Sequence, residues 1–229
     1  LARDFWRRAQ EGEQGYWESD GVRASPEGDP ERRKDFWNTY LELIQKHRPF
    51  NVGDRVLDLG CGPSGILTAM TDSCDRYGVD PLLAAYRTVY HLSPDIHYSR
   101  QMGEDLAFDD GFFQVAMCIN VLDHTRDPNA VWSELHRVLE PGGYLLFEVD
   151  TFKGFKYHHK KFKRWSRMVR GKIEKHPHTF RIDDLTRVAQ GAGFEVVEQK
   201  VRPYRKREEL LLLLRKRDRG VRGGSGSSQ

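Results

Sequence analysis

Residues 56–65 read V-L-D-L-G-C-G-P-S-G, a short apolar run that ends in glycines at 60, 62 and 65. The run predicts a buried strand, and Gly60-x-Gly62-x-x-Gly65 predicts a sharp turn into a helix beginning near Ser64. Glycine suits such a turn because it has no Cβ to bar left-handed backbone or the close approach of a ligand. The spacing also matches the dinucleotide fingerprint, and Asp80 lies twenty residues after Gly60, at the end of a second apolar run, where a ribose-binding acid belongs. Spacing therefore leaves the ligand open. Charge separates the readings: a pyrophosphate over this turn would meet Asp58 at a Coulombic cost, whereas a ligand carrying an ammonium would find a partner in it. A tight structural turn with an incidental acid is the remaining alternative.

Outward from the loop, short apolar runs alternate with helical stretches. Strands are predicted at 55–59, 76–80, 95–99, 113–119, 144–149, 194–198 and 209–214, with helices over 64–72, 81–91, 128–139 and 182–192. Pro141-Gly142-Gly143 is expected to break the chain after the third helix, and Gly191-Ala192-Gly193 to close the fourth. This alternation predicts an α/β fold with a doubly wound, mostly parallel sheet. Residues 1–50 are amphipathic, with Trp6, Trp17, Trp37 and Tyr40 on either side of a polar break at 21–30, and are expected to form a helical lid. The main domain is then 51–222, with an insert near 152–181. The last stretch, 223–229, reads G-G-S-G-S-S-Q and is expected to be a flexible tail.

With 229 residues the chain has room for one domain and a lid. Its longest apolar run, Leu210 to Leu214, is far short of the ~18 residues a membrane span needs, and no basic-then-apolar start resembles a secretory signal. Cys61, Cys74 and Cys118 are an odd set without zinc-like spacing, so no metal site is expected and a reducing, cytoplasmic setting is. The net charge of +3 conceals segregation: residues 153–175 hold ten Lys/Arg against one acid, and 200–222 hold ten against three. An anionic partner and a solvated basic surface both fit that pattern.

Five segments in order resemble the motifs of class I S-adenosylmethionine-dependent methyltransferases, in particular those with small, varied acceptors. They are the loop at 56–65, Tyr77-Gly78-Val79-Asp80-Pro81, and the stretches 103–115, 119–128 and 134–149. The resemblance implies a seven-stranded sheet whose last two strands form a reversed hairpin edge. It implies S-adenosylmethionine as cofactor, with Asp58 toward the ammonium and Gly60, Cys61 and Gly62 beside the methionine portion. Asp80 and Pro81 would then hold the ribose, Gly103, Glu104 and Asp105 the adenine side, and Asn120 would act through its backbone. One departure is Met102, where the family often has an acid for the adenine amino group; Glu104 or Asp105 is expected to substitute.

A hydroxyl acceptor needs a general base, and His124, just past the fourth strand, resembles the base candidate of related O-methyltransferases, with Asp123 orienting it. A loop-filling role for His124 is the alternative. Lys/Arg and aromatic residues interleave over 152–175, which suits a small-molecule, glycan or lipid-linked acceptor with acidic groups and equally suits RNA. His176 and His178 are expected at the pocket rim. Tyr157 and Lys161 share the Tyr-x-x-x-Lys spacing of NAD(P)-dependent short-chain dehydrogenases, a match that is cheap in so basic a stretch. A non-catalytic S-adenosylmethionine-binding module is the last rival. Oligomeric state is not legible.

Overall fold

The computed structural model describes residues 2–25, 28–71, 73–170, 176–204 and 207–218. The predicted tail at 223–229, and parts of both basic segments, lie outside the described residues. Among those described, seven strands form one sheet: β1 Arg55–Leu59, β2 Asp75–Val79, β3 His97–Ser99, β4 Phe113–Ile119, β5 Leu139–Thr151, β6 Phe194–Tyr204 and β7 Arg207–Lys216. Their order is β3-β2-β1-β4-β5-β7-β6. β1 to β5 pair in parallel, and β7 runs antiparallel to both β5 and β6, which is the expected reversed hairpin edge.

Each face of the sheet buries its own core. On one, α5 (Pro128–Val138) and α7 (Ile182–Gly191) lay Trp132, Leu135 and Leu185 against Leu57, Phe113 and Phe147. On the other, α3 (Pro30–His47) lays Trp37, Leu41 and Ile44 against Val56, Met117 and Leu213. α3 and α5 begin alike: Asp29 and Asp127 each accept from two following amides, and a proline stands at the first helical position. The remaining helices are α1 (Ala2–Trp17), the short α2 (Asp20–Arg23), α4 (Leu83–Val89) and α6 (Gly154–Val169). None of the described helices is long and apolar enough to cross a membrane.

Three expectations need correction. The helix over 64–72 is only a 3₁₀ turn, Ile66–Ala69. The buried Arg76 guanidinium takes the carbonyls of Leu67 and Met70 at 3.3 and 3.2 Å, and the chain is extended at Met70. Pro141-Gly142-Gly143 does not separate helix from strand. β5 already pairs Leu139 with Phe113, and the Pro-Gly-Gly run lies in the irregular stretch before Tyr144 meets Val115. Finally, 1–50 is not a lid throughout: α3 has Trp37, Tyr40, Leu41, Leu43 and Ile44 buried and is a layer of the domain itself.

Candidate active site

The glycine loop is fixed by its own chain. The amides of Gly60 and Cys61 donate to the Val79 carbonyl at 2.7 and 3.2 Å, tying the loop to the end of β2. The Gly62 amide donates to Asp80 Oδ2 at 3.1 Å and the Leu82 amide to Oδ1 at 2.8 Å. Each Asp80 oxygen keeps a second lone pair for another donor. Gly60 has φ +73°, and a Cβ there would lie 2.3 Å from Val121. At Gly65 a Cβ would lie 2.2 Å from the Cys61 carbonyl oxygen and 2.6 Å from Asp58 Oδ2, so only bare backbone passes beneath that carboxyl.

Asp58 is 3% exposed. Burial, reinforced by the charge of Asp80, pushes its pKa up to about 8, while the Ile66 amide and Arg33 pull it back. Burial likewise raises Asp80 to about 6, against the hydrogen bonds from Leu82 and Gly62. Two carboxyls held out of water would regain their charge beside an ammonium and hydroxyl donors.

Above them opens a cavity of about 540 Å³, inside the ~300–1,000 Å³ range of small-molecule sites. Asp58, Gly60, Cys61, Gly62, Asp80, Pro81, Gly103, Glu104 and Asn120 all line it. Asp105 does not. Its amide closes a turn onto the Met102 carbonyl at 3.1 Å, which leaves Asp105 exposed and Gln101 and Met102 on the wall. Glu104 Oε1 accepts the amides of Arg126 and Asp127 at 2.6 and 3.1 Å, so it also holds the segment after His124. Asn120 is the one described non-glycine residue with positive φ, at 56°, and its amide donates to the Glu148 carbonyl at 2.8 Å. Such backbone costs on the order of 1–3 kcal/mol and concentrates at functional sites.

His124 ends a 3₁₀ turn, Leu122–His124, and its ring lines the cavity. Among the described residues its Nδ1 makes no hydrogen bond; Glu13 Oε2 of α1 lies 3.8 Å away. Asp123 is buried outside the lining. Its short bond goes not to His124, as the sequence suggested, but to His176, with Oδ2 2.6 Å from Nδ1; its Oδ1 is 3.8 Å from His124 Nε2. The rings of His124 and His176 are 4.4 Å apart between centroids. Burial opposes ionisation of Asp123, but His124 and His176 outweigh it and bring its pKa down to about 2. Burial lowers His176, and its bond to Asp123 more than restores it, for a net rise. The ligand atoms of Asp123, His124 and His176 lie within 4.8 Å of one another, and of the three Asp123 and His176 share the 2.6 Å hydrogen bond.

The cavity wall also carries groups the sequence reading passed over. Glu148, Asp150 and Glu209 line it, together with Tyr40, Tyr204 and Arg207. Burial and the neighbouring acids Glu209, Asp150 and Asp123 push Glu148 up to about 8; Asp150, paired with Arg207, stands at about 6 because of burial. Their signal was visible: F-E-V-D, residues 147–150, puts two acids on one face of a buried strand at its C-terminal end. By contrast, none of the described residues from 153 to 170 lines the cavity.

The Methyltransferase domain family model matches residues 30–199, beginning with α3 and not at the expected boundary near 51. A ubiquinone biosynthesis O-methyltransferase of Xanthomonas oryzae pv. oryzae is 31% identical over 141 residues, covering 57% of this chain and 54% of that protein. The chain thus aligns with about half the length of that relative. Among solved structures, a SAM-dependent methyltransferase of Methanosarcina mazei superposes with TM-score 0.60 at 20% identity, over 77% of this chain and 97% of that one. A phosphoethanolamine N-methyltransferase 2 of Haemonchus contortus, solved with S-adenosyl-L-methionine, gives 0.58 at 14% identity, over 80% and 53%. The chain belongs to the methyltransferase-domain family and has the Rossmann-like fold of the S-adenosylmethionine-dependent methyltransferases.

Proposed function

We propose that this chain transfers a methyl group from S-adenosylmethionine to a hydroxyl oxygen of a small-molecule acceptor. The observation that carries the reading is that one cavity holds both the buried carboxyls suited to the cofactor, Asp58 and Asp80, and the imidazole of His124. In this reading Asp58 meets the ammonium, Asp80 and Pro81 the ribose, and Gly60, Cys61 and Gly62 the methionine portion. Gly103, Glu104 and Asn120 complete the cofactor end; Gln101 and Met102 take the place expected of Asp105. The cofactor supplies an electrophilic methyl on sulfur. The chain orients the acceptor, and His124 takes its hydroxyl proton. Asp123 acts at one remove, by holding His176 against the His124 ring.

The O-methyltransferase name of the relative supports oxygen over nitrogen as the acceptor atom. The acidic group expected on the acceptor finds less support, because Glu148, Asp150 and Glu209 put acids on the wall of the same cavity. The same three acids do not favour an RNA backbone. Tyr157 and Lys161 sit on α6 away from the cavity, which leaves the dehydrogenase alternative without a site. A cytoplasmic setting remains our reading, supported by three buried free cysteines. The experiment is methyl transfer from labelled S-adenosylmethionine to a panel of phenols, glycans and RNA. Label in phenols or glycans that is lost in His124→Ala supports the reading; label in RNA alone overturns it.

A further inference from the structure

α6 faces the wrong way for a helix that packs on a core. Phe155, Phe162, Trp165 and Val169 follow one another at intervals of seven, three and four residues, so they form one stripe. They are 82%, 64%, 54% and 67% exposed. The opposite side, with Tyr157, Lys160 and Arg164, is the half-buried one. There the Arg164 guanidinium donates to Thr179 Oγ1 at 3.1 Å, Lys160 lies over the Phe152 ring at 5.4 Å, and Arg181 over the Tyr157 ring at 5.8 Å. Polar and cation–π contacts therefore anchor the helix and turn its apolar stripe outward. Scattered exposed apolar residues need no explanation, but Phe155, Phe162, Trp165 and Val169 aligned along one face do.

The charges around the stripe say what covers it. Gly154–Val169 contains no acid. Lys156 and Lys163 are exposed on one flank, with Arg170 just beyond the helix, and Lys161 is exposed on the other. The covering surface must be apolar in the middle and negative at its edges. A second copy of the same stripe would bring cations against cations. An anionic bilayer fits, since its interface accepts Trp and Phe and its headgroups meet snorkelling Lys and Arg. We propose that α6 seats the chain on an anionic lipid surface. β5, whose Glu148 and Asp150 line the cavity, leads into α6 at Gly154, so this contact would bring the cavity close to the headgroup layer.

Co-sedimentation of the full chain with vesicles tests this. The chain should pellet with phosphatidylglycerol/phosphatidylcholine vesicles, less with pure phosphatidylcholine, and less again in high salt. Phe162→Ser/Trp165→Ser should weaken binding at least ~10-fold. Lys156→Glu/Lys163→Glu should abolish the preference for anionic lipid, at ~5-fold per cation. All four side chains are exposed, and an unchanged circular dichroism spectrum checks the fold of the variants. Failure of the wild-type chain to pellet with anionic vesicles would overturn the proposal. So would wild-type binding by the Phe162→Ser/Trp165→Ser variant. A wild-type dimer in light scattering that the same variant dissociates would overturn it in favour of self-association through the stripe.

Discussion

Asp80→Ala is the sharpest perturbation of the proposed cofactor site. The carboxylate accepts one amide on each oxygen, from Gly62 and Leu82, and has one lone pair on each left for the ribose hydroxyls. A hydrogen bond to a charged acceptor contributes ~1.5–3 kcal/mol, so losing even one ribose contact should weaken S-adenosylhomocysteine binding ~10–100-fold, and losing both should weaken it further. The variant also leaves two amides without their acceptor, which predicts a lower melting temperature. Asp80→Asn separates the two effects, because it keeps an acceptor oxygen but not the charge. Calorimetric titration at about pH 8 places wild-type Asp80 above its raised pKa of about 6. As pH falls through that value the carboxylate protonates and loses an acceptor, so wild-type affinity should decline around pH 6 more steeply than that of Asp80→Asn, in which only the Asp58 titration remains. Wild-type affinity in a folded Asp80→Ala variant would refute the assignment.

Asp58 and Glu148 are raised to about 8 and Asp80 to about 6, chiefly by burial, so between the ordinary carboxyl range and pH 8 the folded chain binds more protons than the unfolded one. Stability is therefore predicted to fall as pH rises from about 5 to about 9; a melting temperature that climbs over that interval would contradict the burial of these groups. Glu148→Gln should reduce this pH dependence in the same melting scans. His124→Ala should lower kcat ~10²–10⁴-fold with little change in cofactor affinity, as read from initial rates and calorimetry. Gly65→Ala forces a Cβ to 2.2 Å from the Cys61 carbonyl oxygen. It should cost ~1–3 kcal/mol in denaturant titrations and disturb cofactor binding.

Strand placement was legible because period and composition act locally: β4 begins and ends where the apolar run 113–119 does. The glycine loop and Asp80 were legible because their chemistry needs fixed spacing. The 3₁₀ turn at Ile66–Ala69 was not, since Arg76, a strand residue, is what captures its carbonyls. Nor was the Asp123–His176 bond, which joins residues 53 apart in sequence. Proximity in sequence pointed Asp123 at His124, whereas the fold brings His176 in from beyond α6. The exposure of Asp105 was not legible either, because a one-residue difference on a tight turn moves a side chain from wall to solvent. The basic segment 153–175 stood out as charge, but which side of the helix faces the body is set by packing partners, Thr179, Phe152 and Arg181, that no local pattern names.

A cavity built over the glycine loop for a cationic sulfonium cofactor should take S-adenosylmethionine and reject a pyrophosphate. Parallel calorimetric titrations of the full chain with S-adenosylmethionine and with NAD test it most directly. One-site binding of S-adenosylmethionine that Asp58→Ala and Asp80→Ala each weaken is expected, with no binding of NAD. Binding of NAD without binding of S-adenosylmethionine would contradict it.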